Sequence, residues 1–164
     1  MTKKVSTCLW FDGKAEEAAN CYVSLIPGSH VETVFRPDQS GPVLMVVFTL
    51  GGTPFQALNG GPKFQHSEAA SISVSTRDQE ETDRLWSALT ANGGTESRCG
   101  WLKDRFGVSW QIVPEALPRL LTSPDRVAAN RAMQAMLGMG KIDIAGLEAA
   151  YHGTMTGPKQ VARR

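Results

Sequence analysis

Cysteine is scarce in this sequence and shows no pairing. Only Cys8, Cys21 and Cys99 occur, an odd number at wide spacing, which fits neither a disulfide framework nor a paired-cysteine zinc site and predicts reduced, mostly buried thiols. Long apolar runs are lacking as well. No stretch nears the ~18 apolar residues of a spanning helix, so no membrane partner is expected. The opening MTKKVSTCLWFDG has two lysines but then alternates and meets a turn, without the apolar core and cleavage site of a secretion signal, and the cytoplasm is the expected location. An excess of one charge is also missing. With Lys+Arg at 17 and Asp+Glu at 16, the net charge of +1 creates no field to draw phosphate backbones, and nucleic acid is not an expected partner.

What is present is a chain of 164 residues, 41% hydrophobic, enough for one domain or for two half-domains sharing a core. Residues 5–11 are β-branched and aromatic and stop at Asp12-Gly13, a turn signal that ends a first strand. Residues 14–25 recur as Ala15, Ala18, Ala19, Tyr22, Val23 and Leu25 with Glu16, Glu17 and Asn20 between them, which predicts an amphipathic helix. Strands are predicted at 30–35, 43–50 and 53–58, the last closed by Asn59-Gly60-Gly61-Pro62. The pattern then restarts, with a strand at 70–75, a helix at 78–92 carrying Leu85, Trp86 and Leu89, and strands at 95–99, 101–103 and 108–113.

The two halves keep a common spacing. Asp12 to Asp78 and Gly28 to Gly94 are both 66 apart, and GTPFQAL at 52–58 lies over GVSWQIV at 107–113 at an offset of 55. Each reads glycine, two residues, aromatic, glutamine, two apolar. Two such modules, neither able to bury its sheet face alone, are expected to enclose one core. Beyond Pro114, Leu117, Leu120 and Leu121 suggest a short helical turn. Ser123-Pro124-Asp125 starts a helix running to about Leu137, with Ser123 as capping hydroxyl and Pro124 first. That helix is expected to present Ala129, Ala132, Met133, Met136 and Leu137 on one side, the methionines as packing rather than as a cofactor box. Asp143 is placed to cap a last helix bearing Leu147 and Tyr151. The fold class is therefore α+β: two βαβββ modules in a barrel-like mixed sheet, plus a C-terminal helical hairpin. A single domain is expected at 1–152, with modules at 3–62 and 63–114, helices at 115–152 and a flexible tail at 153–164.

A repeated βαβββ module resembles the vicinal oxygen chelate superfamily, which includes glyoxalase I, bleomycin-binding proteins, fosfomycin resistance enzymes and extradiol dioxygenases. LWFDG at 9–13 followed by AEEA at 15–18, ALNGGP at 57–62, DRLW at 83–86, CGWLKD at 99–104, FGVSWQ at 106–111 and KIDI at 141–144 resemble the PhnB-like proteins, often labelled 3-demethylubiquinone 3-methyltransferase. The resemblance spans 3 to about 152 and implies a homodimer. It also implies ligands for a divalent metal, two histidines and one or two carboxylates, on the first and last strands of each module. Here those positions fall at or near Val5, near Ala69 or Ala70, and at Gln56 and Gln111. Valine and alanine cannot ligate, and a carboxamide carries no charge to hold a hard cation, so no metal and no cofactor are expected. His30, His66 and His152 read as loop or tail histidines, with an inward His66 as the rival case.

The pocket is instead expected to bind a small molecule through Gln56 and Gln111, which are expected to face one another across a shared cavity. Strand alternation groups Ser109 and Val113 with Gln111, and Pro54 and Leu58 with Gln56, while Thr7 and Leu9 are assigned the inward side of the first strand with Val5. Trp10, Trp101 and Trp110 read first as core, with Trp110 turned toward the helices, and Lys103, Asp104 and Arg105 as turn and surface charges. Cys99 has no histidine at a spacing that would make it a nucleophile. The alternative is an enzyme: a metal-dependent lyase, dioxygenase or thiol transferase, or the labelled methyltransferase. For the last, the glycines punctuate hairpins rather than forming an adenosyl-cofactor turn between strand and helix.

Overall fold

The computed structural model describes residues 4–154. They fall into two compact units, one running through Ala70 and including Phe106–Val108, the other made of Ser71–Arg105 and the chain from Ser109 onward. The segment 63–70, expected to open the second module, groups with the first unit. The tail expected from 153 begins with Gly153 as the left-handed cap of the last helix, and its remainder from 155 lies outside the described residues.

In the first unit, β1 (Thr7–Phe11), α1 (Ala15–Leu25), β2 (His30–Phe35), β3 (Met45–Leu50) and β4 (Thr53–Asn59) follow in the expected order. The strands form one mixed sheet in the order β1-β4-β3-β2, with β1 and β4 parallel and the other pairs antiparallel. The first strand starts at Thr7 rather than Val5, which is 78% exposed. Helix α1 buries Ala15, Ala18, Ala19 and Tyr22, its small residues letting it sit close to Val46, Phe48, Phe55 and Ala57, also buried. Phe48 and Phe55 stack at 5.4 Å, and Phe106 meets Tyr22 edge-on at 5.9 Å. Each such large side chain removed from water contributes about 1.5–3 kcal/mol.

Lys14 precedes α1 without supplying a side-chain cap. Asn59, at the far end of β4, takes that role: its Oδ1 accepts from the Ala15 amide at 2.9 Å, while its Nδ2 donates to the Val43 carbonyl at 3.0 Å. One carboxamide thus satisfies an orphan donor of the helix and pins the chain entering β3.

The second unit holds β5 (Ser71–Thr76), α2 (Gln79–Thr90), β6 (Thr95–Glu96), β7 (Trp101–Lys103) and β8 (Ser109–Pro114), with sheet order β5-β8-β7-β6. It repeats the first sheet, β5 and β8 being parallel. Asp78 caps α2 by accepting from the Glu81 amide, and Leu85, Trp86 and Leu89 are buried on the sheet side with Leu102, Trp110 and Ile112. The strand expected at 95–99 ends at Glu96. Cys99 turns to a φ of 58°, and the amides of Cys99 and Gly100 donate to the carbonyls of Met139 and Gly140, both at 2.8 Å, in place of strand partners. Gly100 has no room for a side chain there, since a Cβ would lie 2.8 Å from the Ile112 carbonyl oxygen.

Three helices follow: α3 (Ala116–Leu121), α4 (Arg126–Leu137) and α5 (Ile144–His152). Their core is Leu117, Leu120, Ala132, Ile142 and Leu147, with Met136, Met139 and Tyr151 packed on it. The cap of α4 is Asp125, which accepts from the Ala128 amide at 3.0 Å, rather than Ser123, whose hydroxyl pairs with the Tyr151 hydroxyl at 2.6 Å. Leu137, expected on the packed side of α4, is 48% exposed. Gln79 ties this region to α2: Nε2 donates to the Ile142 carbonyl at 3.0 Å and Oε1 accepts from the Ile144 amide at 2.9 Å.

Candidate functional site

Each sheet has one face packed by its helix and one face turned away from it. In the first unit the register Cys8↔Gln56, Trp10↔Leu58, Val47↔Gln56 and Met45↔Leu58 groups Cys8, Trp10, Val47, Gln56 and Leu58 on the face away from α1. Gln56 and Leu58 are both half-buried there, in the grouping expected. Thr7 and Leu9 are not with them. They align with Phe55 and Ala57, on the helix side, and Leu9 is only 8% exposed. The correction has a simple cause. The parallel β1–β4 ladder sets Cys8 beside Gln56, one residue out of phase with an alternation counted from Val5. Cys8 is exposed and Cys21 and Cys99 are half-buried, against the mostly buried thiols expected; partial desolvation still pushes the Cys8 thiol above its ordinary pKa, so at neutral pH it is a neutral thiol.

In the second unit the rows Ser73–Gln111–Trp101 and Ser71–Ser109–Lys103 cross β5, β8 and β7 on the face away from α2. Gln111 and Ser109 therefore share a face, as expected. Gln111 Nε2 donates to Ser71 Oγ at 2.8 Å, which orients the amide and leaves Oε1 turned to accept. Ser109 is 2% exposed, and its hydroxyl lacks a hydrogen-bond partner among the described residues. A buried hydroxyl in that state costs about 1–3 kcal/mol, which a ligand or water on this face would recover. Val113 has the same parity but packs against the C-terminal helical core. Trp110 points to the helix side, fully buried, and its indole Nε1 donates to Asp104 at 2.8 Å. Asp104, expected as a surface charge of the turn, is thus 4% exposed and anchors a core indole.

The metal-ligand set that the fold would call for does not fit these residues. Val5 is exposed ahead of β1, Ala69 and Ala70 are exposed ahead of β5, and the equivalent last-strand positions hold the carboxamides of Gln56 and Gln111. Among the described residues no group of three or more histidines, cysteines, aspartates or glutamates is arranged to hold a metal ion. His30 starts β2 and His152 ends α5, edge-on to Tyr151. His66 is half-buried, its Nε2 donating at 2.7 Å to the Trp10 carbonyl and its ring 5.4 Å from Phe11. It acts there as a clamp on β1.

Trp10 is held in turn by ALNGGP. Its Nε1 donates to the Gly61 carbonyl at 2.8 Å, Phe64 meets it edge-on at 5.0 Å, and Gly60 passes so close that a Cβ would fall 2.2 Å from the ring. Trp10 is thereby committed to packing, whereas Trp101 is half-buried beside Gln111, on the face of its sheet away from α2. Cys8, Ser71, Ser73 and Trp101 are among the residues on these faces that alternation alone did not pick out. The signal that finds them is the cross-strand register.

Comparison with known proteins finds a family match and solved structures of similar fold. A family model described as 3-demethylubiquinone-9 3-methyltransferase matches residues 3–113. A Bacillus cereus PhnB protein, named for the same methyltransferase, is 33% identical; the match covers 68% of this chain and 99% of that one, with a TM-score of 0.63. A Pseudomonas aeruginosa protein is 24% identical over 70% of this chain and 98% of its own, at a TM-score of 0.58. The fosfomycin resistance protein FosX from Listeria monocytogenes, 13% identical over 75% of this chain and 99% of its own at a TM-score of 0.54, shares the fold. A variant of that protein has been solved with manganese(II) and 1S,2S-dihydroxypropylphosphonic acid. No match was found among curated proteins.

Proposed function

Because the chain belongs to the PhnB-like family described as 3-demethylubiquinone-9 3-methyltransferase, within the vicinal oxygen chelate superfamily, we propose that it is a small-molecule binding protein that uses carboxamides where relatives use metal ligands. The observation that carries this is the equivalence of Gln56 and Gln111. Each sits on the face of its sheet away from the helix, with Cys8 beside the first and Ser73 beside the second. A carboxamide offers one acceptor and two donors without charge, which orients a polar ligand but does not neutralise a hard cation. Leu58 contributes apolar contact beside Gln56, and Ser109 a hydroxyl beside Gln111.

Elemental analysis combined with native mass spectrometry tests the reading. The expected result is substoichiometric transition metal and a bound organic mass that is lost in Gln56→Leu and Gln111→Leu. Stoichiometric nickel, manganese, iron or zinc that disappears with His66→Ala would overturn it in favour of a metal-dependent lyase, dioxygenase or thiol transferase. The family description supplies a second reading, transfer of a methyl group. A thermal shift on adding adenosylmethionine is its test, since a ligand at 100 times its dissociation constant stabilises by about 2.7 kcal/mol. The same proposal includes a homodimer in the cytoplasm. Exposed Phe35 and Phe64 support a further protein contact, and no helix among the described residues is long and apolar enough to cross a membrane. Sedimentation at dimer mass is expected.

A further inference from the structure

We propose that the face of β5, β7 and β8 away from α2 takes an uncharged, hydroxylated ring of the sugar or cyclitol kind, laid on Trp101 with its hydroxyls on Gln111, Ser73 and Ser109. This rests on the small-molecule reading above and names the ligand class for the second unit. The chemistry of the face narrows that class. Trp101 stands directly across from Gln111, and Ser73 flanks Gln111 on the other side, so an apolar plane and two neutral polar groups lie in one row.

The next row adds Ser71, Ser109 and Lys103. No carboxylate of β5, β7 or β8 is on this face, and the Glu96 carboxylate of β6 is on the helix side, bound to Trp86 Nε1 at 2.7 Å. These strands therefore supply no counter-charge to a cationic ligand. A flat aromatic ligand would cover Trp101 but leave the hydroxyls unmatched, whereas a pyranose or cyclitol ring has an apolar C–H face and a rim of hydroxyls.

The hydrogen-bond polarity fits the same class. One N–H of Gln111 Nε2 goes to Ser71 Oγ, so its second N–H calls for an acceptor, Oε1 for a donor, and the Ser71 hydroxyl proton is available to an acceptor. A ring hydroxyl is both at once. The buried Ser109 hydroxyl, without a partner among the described residues, is the independent sign that something polar completes this face.

The test is saturation-transfer NMR and titration calorimetry on the full chain with methyl glucoside, methyl galactoside, methyl mannoside and myo-inositol, against benzoate and glucose 6-phosphate. At least one neutral probe is expected to bind, with affinity roughly tenfold weaker in Trp101→Ala and in Gln111→Leu and largely kept in Trp101→Phe. Thermal melts confirm that each variant is folded. Binding of benzoate alone, or of a probe indifferent to Trp101→Ala, would overturn this ligand class while leaving a Gln111-dependent binding protein. Binding of glucose 6-phosphate alone would shift recognition to Lys103 and overturn the uncharged class. If none of the six probes binds at millimolar concentration, the class is overturned. The small-molecule reading then still stands or falls separately, on the bound mass lost with Gln56→Leu and Gln111→Leu.

Discussion

Cys8 is the register partner of Gln56 on the parallel β1–β4 ladder, so a thiol and a carboxamide share the face of the first sheet away from α1. Partial desolvation raises the thiol pKa. A raised value means less thiolate at neutral pH, and the thiolate is the nucleophile. Iodoacetamide labelling located by peptide mapping should therefore run slower at Cys8 than at free cysteine near pH 7. Its rate should keep rising with pH beyond the point where free cysteine levels off. Labelling faster than free cysteine near neutral pH would contradict the assignment.

Gly60 and Trp10 make the second test. A methyl group at Gly60 would fall 2.2 Å from the indole, far inside contact distance, while Trp10 is tethered through Nε1 to the Gly61 carbonyl. Gly60→Ala should destabilise by about 1–3 kcal/mol in urea unfolding. In a Trp10→Ala background the same substitution should cost much less, because the overlap is gone. Additive costs would mean that the ring is not the obstacle.

The repeat, the helix positions and the equivalent placement of the two glutamines on their sheets were legible because each depends on local pattern: alternation, helical spacing, and turns at Asp12-Gly13 and Asn59-Gly60. Side-chain phase on β1 was not. Val5 lies ahead of the strand, and counting from it put Thr7 and Leu9 with Gln56, whereas the ladder to β4 selects Cys8 and Trp10. The short β6 was illegible for a related reason. Cys99 and Gly100 spend their amides on Met139 and Gly140, about forty residues away, and no local propensity reports that exchange. Asp104 was misjudged likewise, since only the fold brings Trp110 Nε1 to a turn carboxylate.

Gln79 offers a test of what KIDI does. Its carboxamide holds the Ile142 carbonyl and the Ile144 amide together, and Nε2 also reaches Asp83 at 2.9 Å. Gln79→Ala leaves a half-buried acceptor and the first amide of α5 without protein partners, at a cost of about 1–3 kcal/mol. Amide exchange at Ile144 and Leu147 should quicken more than exchange in β8. Uniform change across the second unit would instead indicate a global loss unrelated to this clamp.

Asp83 sets the acid limit of the same junction. Lys141 Nζ lies 2.7 Å from its carboxylate and lowers its pKa most, with the Gln79 amide adding to the effect. A folded-state pKa below the unfolded one gives stability that is present above the unfolded value, near 4, and lost as pH falls through the lowered folded value. The pair is partly solvated, so at neutral pH Asp83→Asn should cost no more than about 1 kcal/mol. Asparagine can still accept from Gln79, which isolates the Lys141 contribution. Urea midpoints of the two proteins should differ at pH 7, hold that difference down to about pH 5, and converge as acid protonates Asp83. A difference that persists unchanged below the lowered pKa would mean that the ion pair contributes nothing and that the substitution acts through packing alone.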